Sequence, residues 1–230
     1  MTLYETMFKR RSVRSYDKTP LSESTLNEVK AYLATIPQLS GTNVRLEVVP
    51  GDKVKDKLAA HYIVAYCKKN FAEYINVGYT LQQADLYLQS IGLGSLWLGM
   101  TGTVGGNEDY AIMMAFGKTD VPMRNGEEDF KRLPLSEMSN QNTHIAHAAR
   151  VAPSAVNSQP WNIHFEQNEV TVNYFGRGVL KAILKRSKSK IDLGIVTKHI
   201  ETALLNEGKT ITSITPVGDD KHFLVEIRYN

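Results

Sequence analysis

INVGYTLQQADLYLQSIG, residues 75–92, has a counterpart in IDLGIVTKHIETALLNEG, residues 191–208. The Ile75/Ile191, Gly78/Gly194 and Gly92/Gly208 pairs all keep one offset, 116 positions (191 − 75). Leu81, Ala84, Leu88 and Ile91 fall at helical spacing in the first copy, as do Ile200, Ala203 and Leu204 in the second. Gly92 and Gly208 stand where a left-handed glycine stops a helix. Both stretches are therefore expected to be helices that face a core.

The similarity extends outward. Pro20-Leu21-Ser22-Glu23 recurs as Pro134-Leu135-Ser136-Glu137, 114 positions on (134 − 20), and each is expected to open a helical stretch. These lead to Ile36-Pro37 and Ala152-Pro153, after which Val44–Val49 and Ile163–Phe165 read as strands. Each copy closes on a β-like run, Tyr110–Gly117 and His222–Tyr229. Short matches of this kind arise by chance, but shared order at a nearly constant offset favours duplication. The expected fold is α+β, with two pseudo-symmetric halves, residues 1–119 and 120–230, each a small sheet flanked by helices, together one compact unit.

A chain of 230 residues with 42% hydrophobic content can bury a sizeable core. Its net charge of +3 is too small to require a nucleic-acid partner. The basic tract Lys185, Arg186, Lys188 and Lys190 reads as a solvated helix end. The single cysteine, Cys67, reads as a buried small hydrophobe and excludes an internal disulfide. No apolar run reaches the roughly 20 residues that span a bilayer, and the N-terminus MTLYETMFKRRSVRSYD meets charge before any apolar stretch, so a cytoplasmic protein is expected. His144 and His147 stand three apart, but no third ligand is suitably spaced for zinc.

Four segments carry chemistry. Lys9-Arg10-Arg11-Ser12-Val13-Arg14 follows a short helix expected over Leu3–Lys9, and its guanidinium forks suit phosphate oxygens. Ala152-Pro153-Ser154-Ala155-Val156-Asn157-Ser158-Gln159-Pro160-Trp161 follows a helix expected over Thr143–Arg150; small and amide side chains there let backbone approach a planar ligand. Gly92-Leu93-Gly94-Ser95-Leu96-Trp97-Leu98-Gly99-Met100 follows a helix, whereas a dinucleotide fingerprint follows a strand, so it reads as a buried strand ending in exposed N–H groups at Gly99 and Met100. Lys131 and Arg132, in Phe130-Lys131-Arg132-Leu133-Pro134-Leu135, could complete a phosphate site or flank the next helix.

Together RRSVRSY, GLGSLWLG, FKRLPL and APSAVNSQPW resemble the FMN-dependent nitroreductase family, in which a homodimer interface holds the flavin. One family protomer supplies the arginine segment and the other the Pro-Ser-x-x-Asn loop. Here the first half keeps the arginine segment but reads Pro37-Gln38-Leu39-Ser40-Gly41-Thr42-Asn43 in place of the loop. The second half keeps the loop but reads Arg124-Asn125-Gly126-Glu127-Glu128 in place of the arginine segment. The resemblance thus implies a single-chain pseudo-dimer with one working FMN site, as a monomer or with further self-association.

By that resemblance Arg10, Arg11 and Ser12 hold the phosphate and ribityl chain, helped by Lys131 and Arg132, and Arg14 approaches the pyrimidine edge. Pro153, Ser154, Ala155, Asn157 and Gln159 contact the flavin from the second half, and the Gly99 or Met100 N–H faces N5 or O4. The implied activity is ping-pong electron transfer from NAD(P)H to a small acceptor such as a nitroaromatic or quinone, with no side-chain nucleophile. A flavin-binding sensor or storage protein without turnover is the alternative, and a scaffold with both sites decayed is a third reading.

Overall fold

The computed structural model describes residues 1–104, 109–176 and 186–230, without the side chains of 186 and 187. Helix α1 spans Leu3–Met7 and starts with a capping box between Thr2 and Glu5. Helix α2 spans Glu23–Thr35, with the Ser22 hydroxyl accepting from the Thr25 N–H. Helix α3 (Phe71–Ser90), α4 (His144–Arg150) and α5 (Arg186–Asn206) complete the set. Gly92 and Gly208, at φ 85° and 78°, end α3 and α5 in the left-handed conformation.

Buried residues, polar as well as apolar, lie all round α3 and α5, so both are core helices. Ile75, Val77, Leu81, Leu86 and Leu88 of α3 are fully buried, as are Leu193, Val196, Ile200 and Leu204 of α5. Each such side chain contributes about 1.5–3 kcal/mol. The two helices pack on each other through Gly78 and Gly194: a Cβ on Gly78 would meet the Ile191 carbonyl oxygen at 1.9 Å, and one on Gly194 would meet the Ile75 oxygen at 1.9 Å.

Four-stranded antiparallel sheets flank this pair. Strands β1 (Arg45–Pro50), β2 (His61–Tyr66), β3 (Gly94–Leu98) and β4 (Ile112–Gly117) are ordered β1-β2-β4-β3. Strands β5 (Trp161–Glu166), β6 (Glu169–Tyr174), β7 (Ile211–Gly218) and β8 (Phe223–Tyr229) are ordered β5-β6-β8-β7, the same connectivity. β2 and β4 are buried on both faces because Val54, Ala59 and Leu96 cover the side away from α3, over Tyr62, Val64 and Met113. β5 and β8 instead alternate, with Trp161, Ile163, Phe165, Phe223, Val225 and Ile227 turned inward.

Three sequence expectations need correction. Pro134-Leu135-Ser136-Glu137 opens only a 3-10 turn, Leu135–Glu137, because Ser139 bridges to Ile163 and Asn140 bonds the Phe165 backbone at both its N–H and carbonyl. The basic tract is not a fully solvated helix end: Lys190 is 3% exposed and pairs with Asp220, and Lys188 lies against Gly99. Lys185 lies outside the described residues. Cys67 is half-buried, and burial pushes its thiol up to about 11. Among the described residues no helix is long and apolar enough to cross a membrane.

Candidate functional site

The arginine segment leaves α1 and runs as extended chain beside β3. Ser12 bridges to Ser95, and the Val13 N–H donates to the Ser95 carbonyl at 3.0 Å. Gln89 on α3 clamps the preceding residue, Arg11, twice: its Oε1 accepts from the Arg11 N–H at 2.9 Å and its Nε2 donates to the Arg11 carbonyl at 3.0 Å. Arg10 turns inward, 2% exposed, with Nε 2.8 Å from Oδ2 of the fully buried Asp85. Asp85 also accepts from Gln82 Nε2, Gln89 Nε2 and the Ser95 hydroxyl.

Such pinning aims the remaining side chains outward. Arg11, Ser12, Arg14 and Ser15 line an open cleft of about 550 Å³ together with Val121 and Arg124, and no carboxylate of the described residues lines it. Arg124 is held there by its N–H donating to the Lys9 carbonyl at 2.8 Å and by its guanidinium donating to the Arg10 carbonyl.

The loop after α4 is strained. Val156, Asn157 and Gln159 have φ of 48°, 59° and 47°, a conformation costing non-glycine residues about 1–3 kcal/mol each and tolerated where surroundings enforce it. The enforcement is visible: Ala155 N–H donates to Asp192 Oδ1 at 3.0 Å and Gln159 N–H to the Ser154 hydroxyl at 2.9 Å. Asn157 Oδ1 accepts from Arg132 Nη1 at 2.6 Å, and its Nδ2 donates to the Lys131 carbonyl at 2.8 Å. Buried Gln159 accepts from the Leu133 N–H at 2.9 Å. The Lys131-Arg132-Leu133 junction is thus the floor of the loop.

The two segments converge on Phe130. Arg124 lies over its ring at 4.2 Å and Arg132 at 5.4 Å. Burial and then the neighbouring Arg10 and Arg11 lower the Arg124 pKa to about 10; burial, Arg10, Arg124 and Arg150 lower that of Arg132 to about 9. Arg10 Nη2 and Arg132 Nε are buried without a hydrogen-bond partner. Crowded, partly desolvated cations with unused donors suit a multiply charged anion. His199 of α5, its Nδ1 2.8 Å from the Ala148 carbonyl, is held to about 3 by burial and so stays neutral beside them.

On the α5 side, Gly99 is exposed, and a Cβ there would lie 3.2 Å from Lys188 Nζ. Met100 is 93% exposed. One turn beyond Lys188, burial raises Asp192 to about 7 and its Oδ2 has no partner.

Of the residues the sequence singled out, Arg11, Ser12 and Arg14 line the cleft, whereas Arg10 anchors the segment from inside. Arg132 and Asn157 bond each other; Ser154 and Gln159 direct their polar groups into the loop, and Pro153 is buried. Lys131, Gly99 and Met100 are exposed. Sequence reasoning missed Gln82, Asp85 and Gln89, whose signal is a polar row at helical spacing along an otherwise apolar helix, and also Arg124, Lys188 and Asp192.

A family model described as "Putative TM nitroreductase" matches residues 2–204. The chain belongs to this nitroreductase family. The chain is similar to a Thermotoga maritima structure described as a "putative nitroreductase", with 19% identity over 99% of this chain and 94% of that one and a TM-score of 0.75. A Desulfovibrio desulfuricans structure described as a "putative nitroreductase in complex with fmn" is 16% identical over 62% of this chain and 98% of that one, at a TM-score of 0.47. No curated protein matches the sequence.

Proposed function

We propose that the chain is an FMN-dependent oxidoreductase that moves electrons from NAD(P)H to a small acceptor such as a nitroaromatic or quinone, by a ping-pong mechanism. Membership of the nitroreductase family supports the reaction class. The observation that carries the cofactor is the cleft lined by Arg11, Ser12 and Arg14, together with Arg132, which holds Asn157 and whose Nε, like Arg10 Nη2, is buried with no partner among the described residues. That donor set fits a phosphate dianion, and the exposed Gly99 lies beside the Lys188 side chain.

FMN supplies two-electron transfer between donor and acceptor. The protein binds and orients. Arg11, Ser12 and the Lys131-Arg132 junction hold the phosphate end, and Arg14 places positive charge by the pyrimidine edge. The Gly99 or Met100 N–H would face flavin N5 or O4. The strained Ala155–Asn157 turn covers one side, and stacking of donor and acceptor in turn brings reacting atoms into attack range. We read residues 1–119 and 120–230 as two copies of one unit that share a single site. The copy's remnant loop supports the count, since Gln38 bonds Val44 and Asn76 inside the first half.

The test is the visible spectrum of the purified protein. One FMN per chain is expected, bleached by NADH or NADPH and restored by a nitroaromatic or quinone. A bound flavin that neither nicotinamide reduces would point to a sensor or storage protein and overturn the enzyme reading; two flavins per chain would overturn the single site.

A further inference from the structure

We propose that Arg124, from the second half's remnant of the arginine segment, is a phosphate-binding residue of the first half's flavin site. The inference rests on the flavin reading above and adds a ligand to it. Arg124 occupies the position 114 residues after Arg10 (124 − 10), the offset that also relates the two Pro-Leu-Ser-Glu tetrapeptides. Sequence comparison of the halves takes this segment for a decayed copy, because acidic Glu127 and Glu128 follow it. Its geometry argues for a new use.

Arg10 itself has withdrawn from the cleft into an ion pair with Asp85. Arg124 lines the cleft instead, tied by its N–H to the Lys9 carbonyl and by Nη1 to the Arg10 carbonyl. Its Nε reaches the Asp129 carbonyl at 3.4 Å, and Phe130 supports the guanidinium plane from 4.2 Å. Nη2 has no protein partner among the described residues. Arg11, Arg14 and Arg124 therefore bring three arginines to one cleft, with Ser12 and Ser15 also lining it and no carboxylate of the described residues. Burial and the nearby Arg10 and Arg11 disfavour the Arg124 cation more than Asp129 favours it, so a ligand dianion would relieve a repulsion already present in the protein. Glu127 is not available to do so, since His147 and Arg150 take its oxygens at 2.8 and 2.9 Å.

FMN and riboflavin differ by the phosphate alone, so the ratio of their affinities reads the phosphate contact and cancels general damage to the site. After flavin removal, fluorescence-quenching titrations of wild type, R124Q and R124K with both ligands measure that ratio. R124Q is expected to lower it roughly 10- to 100-fold, the scale of one or two charge-assisted hydrogen bonds. R124K, which keeps a charge but loses the fork, is expected to lower it by a smaller factor. An unchanged ratio in either variant, with FMN and riboflavin weakened alike or not at all, would overturn the assignment while leaving the flavin reading intact. If R124Q does not fold, R124K carries the decision. Wild-type protein that binds neither ligand would instead sink the flavin reading and this inference with it.

Discussion

Gly78 and Gly194 approach each other's helices reciprocally: each places its Cα where a methyl group would lie 1.9 Å from a carbonyl oxygen, Ile191 for Gly78 and Ile75 for Gly194. The sequence pairs Ile75 with Ile191 and Gly78 with Gly194, and the structure puts those same four residues at the crossing of α3 and α5. The opposing atoms are backbone, so no rotamer change relieves the contact.

Gly78→Ala or Gly194→Ala must therefore push two core helices apart. Each is expected to cost about 1–3 kcal/mol or more in overpacking, beyond the small helix-propensity gain of alanine. Urea midpoints of the two variants should fall together; a variant as stable as wild type would contradict the crossing geometry.

Asp192 predicts a pH dependence of stability. Burial raises its carboxyl from 3.8 to about 7, so the folded protein holds a proton that the unfolded chain releases. Stability from this group is then present below about pH 4 and lost as pH rises to about 7. Asp192→Asn keeps an oxygen for the Ala155 N–H, as Asn76 does for the Leu39 N–H at 3.0 Å in the first half. Thermal melts from pH 5 to pH 8 should show the variant gaining on wild type as pH rises.

Arg10 and Asp85 form an ion pair out of water, so removing one partner strands the other. Arg10→Met is expected to destabilise the fold by about 3–5 kcal/mol. A surface role for Arg10 would give less than about 1 kcal/mol in the same denaturation experiment.

Gln89→Ala removes both hydrogen bonds that hold the Arg11 backbone. A loss of about 1–3 kcal/mol is expected from the stranded groups, together with weaker FMN retention on gel filtration, while Gln83→Ala, on the Tyr32 side of α3, should retain flavin as wild type does.

Much of this was legible in the chain itself. Periodicity and the closing glycines located α3 and α5, because a core helix repeats its apolar residues locally and a left-handed stop needs glycine. β2 was visible only as an apolar run, since a strand buried on both faces does not alternate. No glycine or proline precedes β6 at its turn with β5, Gln167-Asn168, to announce it.

The functional residues divide along the same line. RRSVR and APSAVNSQPW are readable because their chemistry is contiguous. Asp85 opposite Arg10, Gln89 on Arg11, Asp192 under Ala155 and Arg124 in the cleft join residues from about 40 to more than 100 positions apart. By itself the sequence determined the paired core helices, the loop and the arginine segment, all consequences of local pattern. Only the tertiary structure decided that Arg10 is an anchor and that Arg124 stands in the cleft, because which guanidinium is buried depends on which carboxylate the packing of α3 carries to it.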